Sequence, residues 1–359
     1  MRIALAGRPG SGKSGLFDLV TGRAAHDTAE AAHGLRIAHA DVPDSRLWLL
    51  SEAYKPKKTT PARVQFDDFE QKSGPVYPAL SAPRREALAQ ADVVLLVIEL
   101  FTDPPEAWLE AVQRQWREAT EEYVILDLSV VETRLERLAK MAKVGQAGAF
   151  PGEAELLQRA KETLEEARPL RSLDWSEEER KRVRGYSFLT ELPIIPAFNV
   201  AEEHLSEGLA REEALRAAVG AEVAVVFCEP VERQILELPE ADQRPFMEAF
   251  GLTESSLARV IRGAYAAAGA HCFFTVGPDE VRAWTIRKGA LAPEAAGVIH
   301  SDLERGFARA EVLAFESWQR HGSHQAAKEK GEVRLEGKEY EVKDGDIINI
   351  RSGLAKSRG

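Results

Sequence analysis

Cysteine is nearly absent from this sequence. Only Cys228 and Cys272 occur in 359 residues, far apart and with no metal-ligand spacing around them. That excludes a disulfide framework and a zinc signature, and it points to a reducing compartment. Long apolar runs are also missing. The N-terminal run Ile3-Ala4-Leu5-Ala6 is too short for the core of a secretion signal, and the best later one, Val93 to Leu100, cannot cross a bilayer. The expectation is a soluble, cytoplasmic protein with no membrane partner. Positive charge is in deficit, with 47 Lys and Arg against 58 Asp and Glu and a net charge of −11. Phosphate-backbone affinity comes mainly from Lys and Arg, so indiscriminate nucleic-acid binding is disfavoured and no DNA partner is expected. Local basic stretches remain at Lys55, Lys57 and Lys58 and at Arg282 to Lys288. Each is either a contact patch or a solvated charged face. Internal repeats and low-complexity tracts are absent.

The length exceeds what one hydrophobic core usually supports, so two or three packed units are expected. Arg2 to Ala6 reads as a short buried strand, followed by a Gly-rich loop and a helix whose apolar positions include Leu16, Leu19 and Val20. Val64-Gln65-Phe66, Asp92 to Ile98, Pro193 to Phe198 and Val223 to Phe227 are further buried strands with helical pattern between them. Strands alternating with helices predict an α/β fold with a parallel, doubly wound sheet. From Val124 to about Tyr186 the texture is long charged helix, with Leu135 and Leu138 on one face, a second helix over Leu156 to Ala167 and a turn in Gly145 to Gly152. This predicts an inserted helical hairpin, either structural or an arm for a partner. After Ala264 the pattern becomes a small α+β module: strands at His271 to Val276 and Val281 to Ile286, a charged helix, then Val333-Arg334-Leu335, Lys338 to Val342 and Ile347 to Ile350. The resulting boundaries are 1–123 and 187–270 for a nucleotide domain, 124–186 for the insertion and 271–359 for the terminal module.

The loop Gly7-Arg8-Pro9-Gly10-Ser11-Gly12-Lys13-Ser14 satisfies the Walker A pattern. Its glycines free backbone N–H groups to cradle phosphates, Lys13 neutralises them, and the Ser14 hydroxyl can ligate Mg²⁺. Arg8 through Gly15 are therefore the expected phosphate-binding residues. A second carboxylate, holding the metal through water, is sought at the end of a neighbouring strand, where Asp67 and Asp68 follow Phe66.

At this point the residues resemble a known family. Val42-Pro43-Asp44-Ser45-Arg46-Leu47, Asp127-Leu128, and Leu192-Pro193-Ile194-Ile195 leading to Asn199-Val200-Ala201-Glu202 look like segments of YchF/Obg-like ATPases. Val281-Arg282-Ala283-Trp284-Thr285-Ile286, Ala295 to Asp302, Gly306 to Glu311 and Asp344-Gly345-Asp346 look like that family's TGS region. The resemblance implies a Ras-like P-loop NTPase domain, an inserted coiled-coil hairpin and a C-terminal β-grasp (ubiquitin-like) TGS domain. It also implies ATP or GTP with Mg²⁺ as cofactors, and the ribosome or ribosomal RNA as partner. Asn199, Val200, Glu202 and Cys228 fall on its base-binding segments. Its Asn-x-x-Glu lacks the guanine-reading aspartate, which favours adenine.

The resemblance also exposes departures. Aligning the third motif, Asp-x-x-Gly, puts Asp68 on the aspartate and makes it the second metal residue, but puts Gln71 on the glycine and Lys72 on a hydrophobic position. Lys72 becomes a candidate catalytic group that stabilises charge on the γ-phosphate. The family's paired threonines align with Ala62 and Arg63, leaving Thr59 or Thr60 as displaced metal contacts. Two functions follow: a nucleotide-hydrolysing, ribosome-associated switch with weak or altered turnover, or a degenerate paralogue that acts as a ribosome-binding module without hydrolysis. A P-loop metabolic kinase is opposed by the TGS block.

Overall fold

The computed structural model describes residues 1–21, 29–31, 35–69, 82–144 and 151–353. Its strands are β1 (Arg2–Gly7), β2 (Ala29–Ala31), β3 (Leu35–Asp41), β4 (Lys58–Thr60), β5 (Arg63–Phe69), β6 (Val93–Glu99), β7 (Ile194–Asn199), β8 (Val225–Phe227), β9 (Ala270–Val276), β10 (Glu280–Arg287), β11 (Phe307–Ala314), β12 (Arg334–Glu336) and β13 (Asp346–Ser352). The first helices are α1 (Lys13–Thr21), α2 (Ser45–Tyr54), α3 (Ala82–Ala89), α4 (Trp108–Lys143) and α5 (Glu153–Glu165). The chain divides into two compact units. One comprises Arg2–His39 and Gln65–Val260; the other comprises Ala40–Val64 together with the chain from Ile261 onward.

The first unit is built on a seven-stranded sheet ordered β2-β3-β5-β1-β6-β7-β8. β1 pairs in parallel with β5 and β6, β6 with β7, and β7 with β8, while β2 runs antiparallel to β3. The expected parallel α/β sheet is therefore present. Its central strands are buried on both faces, as in the unbroken apolar run of β6, which is why they read as continuous rather than alternating patterns. The core beneath one face collects Ala4, Val94, Leu96, Ile98, Trp108, Val112, Phe198 and Val226.

The helical hairpin is present, and its helices pack through Val124, Val131, Leu156, Leu157, Ala160 and Leu164, with Leu135 and Leu138 partly buried against them. Arg134 pairs with the buried Glu153 at 2.7 Å, and Lys161 with Glu132 at 3.0 Å. The expected boundary at 124 falls inside α4, which runs unbroken from Trp108. Most of the expected turn, residues 145–150, lies outside the described residues. Asp127, fully buried, fixes the return of the chain: its carboxylate accepts the Leu189 N–H at 3.0 Å and the Thr190 N–H and hydroxyl at 2.7 Å each.

The second unit carries a sheet ordered β12-β11-β13-β9-β10-β4. β9 and β10 form an antiparallel hairpin, β13 runs parallel to β9, and β11 is antiparallel to both β13 and β12. With the helix Ala292–Ile299 packed on one face, this is the β-grasp arrangement. The unit differs from the sequence reading in three places. β11 lies within the stretch read as charged helix, because its Ala-, Glu- and Leu-containing sequence favours helix and a bulge between Phe307 and Arg309 breaks its alternation. Lys338 to Val342 contributes only an isolated bridge, Leu291 with Glu341, rather than a strand. Residues 40–64, expected in the nucleotide domain, cluster with this unit instead: β4 pairs in parallel with β10, and Arg46 bonds both Asp44 and Asp344, the latter at 2.9 and 3.0 Å.

Candidate phosphate and base site

Parallel strands end together, and the register puts Gly7 beside Val97, Glu99 beside Asn199 and Asn199 beside Phe227. The carboxyl ends of β1, β6, β7 and β8 thus form one edge, the usual place for a ligand in such sheets. The Gly-rich loop joins β1 to α1 there and presents the N-terminus of a nine-residue helix, where backbone N–H groups and the helix dipole favour an anion.

Two glycines are required by contact as well as by backbone. Gly7 has φ of 138°, and a Cβ there would collide with the Val97 carbonyl. Gly12 has φ of 97°, and its Cβ would fall on Nδ2 of Asn199. That amide nitrogen donates to the Ser11 carbonyl at 3.1 Å and is buried, so Asn199 holds the loop against β7. Lys13, only 6% exposed, donates from Nζ to the carbonyls of Gly7 at 2.8 Å and Arg8 at 2.6 Å. The ammonium therefore lies inside the curl of the loop. Arg8 forms an ion pair with Glu118 of α4. Ser11 is fully buried and its hydroxyl has no hydrogen-bond partner, whereas Ser14 is exposed at the start of α1.

Asp68 is 1% exposed, pairs through Oδ2 with Arg36 of β3, and leaves Oδ1 without a hydrogen-bond partner. Asp67 points to the other face of β5, where its Oδ1 accepts from Gln65 at 2.6 Å, and burial pushes its pKa upward. Gln71 and Lys72 lie outside the described residues. Thr59 and Thr60 lie on β4. They belong to the second unit, where Thr59 Oγ1 is 2.5 Å from Ser51 Oγ and Thr60 donates to Glu280 at 2.5 Å.

A cleft of about 560 Å³ opens beside the loop, lined by Gly12, Gly15, Phe101, Asn199, Val200, Ala201, Glu202, Glu203, Glu229 and Pro230. It brings together the predicted Asn199, Val200 and Glu202 with the phosphate loop. Cys228 sits just beneath. It is 1% exposed at the N-cap of the helix Glu229–Glu237, and burial, reinforced by nearby Glu202, Glu229 and Glu232, raises its thiol pKa to about 11. It is a core residue of the site's wall rather than a lining group. Phe101 was missed by the sequence reading. It is 39% exposed, on a turn pinned by the buried Trp108, whose Nε1–H donates to the carbonyls of Leu100 at 3.1 Å and Asp103 at 3.0 Å. The available signal was an aromatic immediately after the fully apolar β6, at the carboxyl edge of the sheet.

Comparison with known proteins places this geometry. The chain is 36% identical to the Ribosome-binding ATPase YchF of Bacillus subtilis, over 98% of this chain and 99% of that one. The chain belongs to the YchF/Obg-like ATPase family. It is also 30% identical to the human Obg-like ATPase 1, over 97% of this chain and 91% of the relative. The model described as "YchF-GTPase_C: Protein of unknown function (DUF933)" matches residues 271–353. The solved structure of the Schizosaccharomyces pombe YchF GTPase superposes with a TM-score of 0.82 at 26% identity, covering 98% of this chain and 97% of that one. The resemblance in the sequence is thereby borne out along nearly the whole chain. Among the described residues, no helix is long and apolar enough to cross a membrane.

The contact between Gly12 and Asn199 yields a direct test. Gly10 also has positive φ, 82°, but a Cβ there meets nothing within 4 Å. Gly12→Ala is expected to weaken nucleotide binding at least about tenfold more than Gly10→Ala, a difference of roughly 1.4 kcal/mol. Calorimetric titration of both variants checks it, and equal losses would contradict the contact.

Proposed function

We propose that this chain is a purine-nucleotide-binding protein of YchF type that prefers ATP, hydrolyses it slowly and works in association with the ribosome. The observation that carries the reading is the continuity of the phosphate loop with the cleft at Asn199. The triphosphate lies over the loop N–H groups and Lys13, and the base enters between Phe101 and the Val200 to Glu203 segment. An aromatic face opposite the aliphatic Val200 and Ala201 suits any purine. Asn199 supplies the choice. With Nδ2 engaged by the Ser11 carbonyl, the amide offers its oxygen, which accepts from the adenine 6-amino group and repels the guanine 6-oxo group.

Oxygen donors suit Mg²⁺. Ser14 is exposed at the helix start and Asp68 keeps a buried carboxylate oxygen without a partner, so Ser14 would hold the ion directly and Asp68 through water. The bound ion would neutralise charge on the β- and γ-phosphate oxygens. The chain's own contribution is to fix those oxygens against Lys13 and the loop N–H groups. Relatives carry the name ATPase, which favours retained hydrolysis. Gln71 stands where the family's third motif has glycine, a residue of greater backbone freedom, which favours a slow rate. Lys72 is the candidate to offset this.

Competition of ATP and GTP against a fluorescent adenine nucleotide tests the site. ATP is expected to bind about tenfold tighter than GTP, roughly 1.4 kcal/mol, with Lys13→Ala abolishing both. Single-turnover hydrolysis at or below about 10⁻⁴ s⁻¹ is expected without a partner. Tighter GTP binding, or a Lys13→Ala variant that binds like the parent, refutes the assignment.

For the ribosome, the β-grasp unit presents Arg287 and Lys288 exposed at the end of β10, whereas Arg282 is half-buried with its guanidinium 3.9 Å from the Trp284 ring centroid. The partner is inferred from the relatives named as ribosome-binding. Reversing Arg287 and Lys288 to Glu is expected to weaken co-sedimentation with ribosomes and flatten its salt dependence, since fewer counterions are released. Unchanged co-sedimentation across salt would move the contact to the helical hairpin.

A further inference from the structure

Asp68, the carboxylate of the proposed metal site, already has a cation. Arg36 Nη2 pairs with Asp68 Oδ2, Arg36 Nη1 lies 3.6 Å from Asp18 Oδ1, and the guanidinium sits 4.5 Å from the centroid of the Phe17 ring. Phe17 and Asp18 belong to α1, the helix that begins at Lys13 and Ser14. Arg36 is therefore held on three sides between the phosphate-binding helix and β5, with its side chain 26% exposed and Asp68 at 1%. A guanidinium stays charged at every working pH and is less strongly hydrated than an ammonium, so it tolerates such a partly buried place. The arrangement is incompletely satisfied, because Asp68 Oδ1 and Arg36 Nε are both buried without hydrogen-bond partners. A dication approaching Asp68 meets a like charge already seated on the same carboxylate.

We propose that Arg36 competes with the divalent cation for Asp68, so that the nucleotide complex binds Mg²⁺ weakly until Arg36 is displaced. The ion pair keeps the buried carboxylate neutralised in the metal-free state, where an unpaired charge is costly. Its release from the stack on Phe17 and from Asp18 accompanies metal entry. This rests on the nucleotide-binding reading above.

Mn²⁺ serves as the probe, its binding to the ADP complex of the full chain followed by electron paramagnetic resonance. Arg36→Gln is expected to tighten Mn²⁺ binding about tenfold, equivalent to ~1.4 kcal/mol. Arg36→Lys, which keeps the charge, is expected to remain near the parent. In an Asp68→Asn background the Arg36→Gln change is expected to lose its effect, since the shared carboxylate is gone. Should Arg36→Gln fail to fold, Arg36→Met keeps an apolar stem over Phe17 and carries the same expectation. Unchanged or weaker Mn²⁺ affinity in the uncharged variant, with ADP still bound, overturns the competition alone. A parent that binds no ADP with or without metal overturns the nucleotide reading and this proposal with it.

Discussion

A buried ammonium organises the nucleotide domain's functional edge. Lys13 sits within the curl of the loop between β1 and α1, bonded to two backbone carbonyls of that loop. Burial of an isolated charge is costly, and carbonyl partners offset part of that cost. The phosphate oxygens of a nucleotide would complete the offset by bringing the opposite charge to the buried ammonium. Everything around the loop keeps this arrangement in place: Gly7 against Val97, Gly12 against Asn199, and Arg8 against Glu118.

Asn199 links two tasks that a sequence motif presents as one. Its amide nitrogen anchors the phosphate loop, and its oxygen is the group proposed to read the base. On that proposal a change there alters loop position and base choice together, so its effects on affinity and on specificity are coupled. The support beneath Phe101 is equally dual. Trp108 begins the long helix that continues into the hairpin and also fixes the turn that carries Phe101.

Much of this was legible in the sequence. The strand, Gly-rich loop and helix from Arg2 to Thr21, the buried runs of β6 and β7, and the facing leucines of the hairpin all depend on patterns within a few residues of one another. What escaped was non-local. β4 has three residues and acquires its identity from β10, some 220 positions later, so nothing near Thr59 and Thr60 in the sequence marks them as strand residues. β11 is a bulged strand with helix-favouring residues. Arg36 lies on a strand with no motif of its own, and its significance comes only from Asp68 and α1 meeting around it. Phe101 was an ordinary aromatic until the turn held by Trp108 aimed it into the cleft.

The central claim is that one ligand bridges the phosphate loop and the Asn199 cleft. Hydrogen–deuterium exchange with and without ATP measures this most directly. The account predicts protection in peptides covering Gly7–Gly15 and Asn199–Glu203 together, with the β-grasp strands β9 to β13 unchanged. Protection confined to the β-grasp unit, or none in the loop and the cleft at saturating ATP, would contradict it.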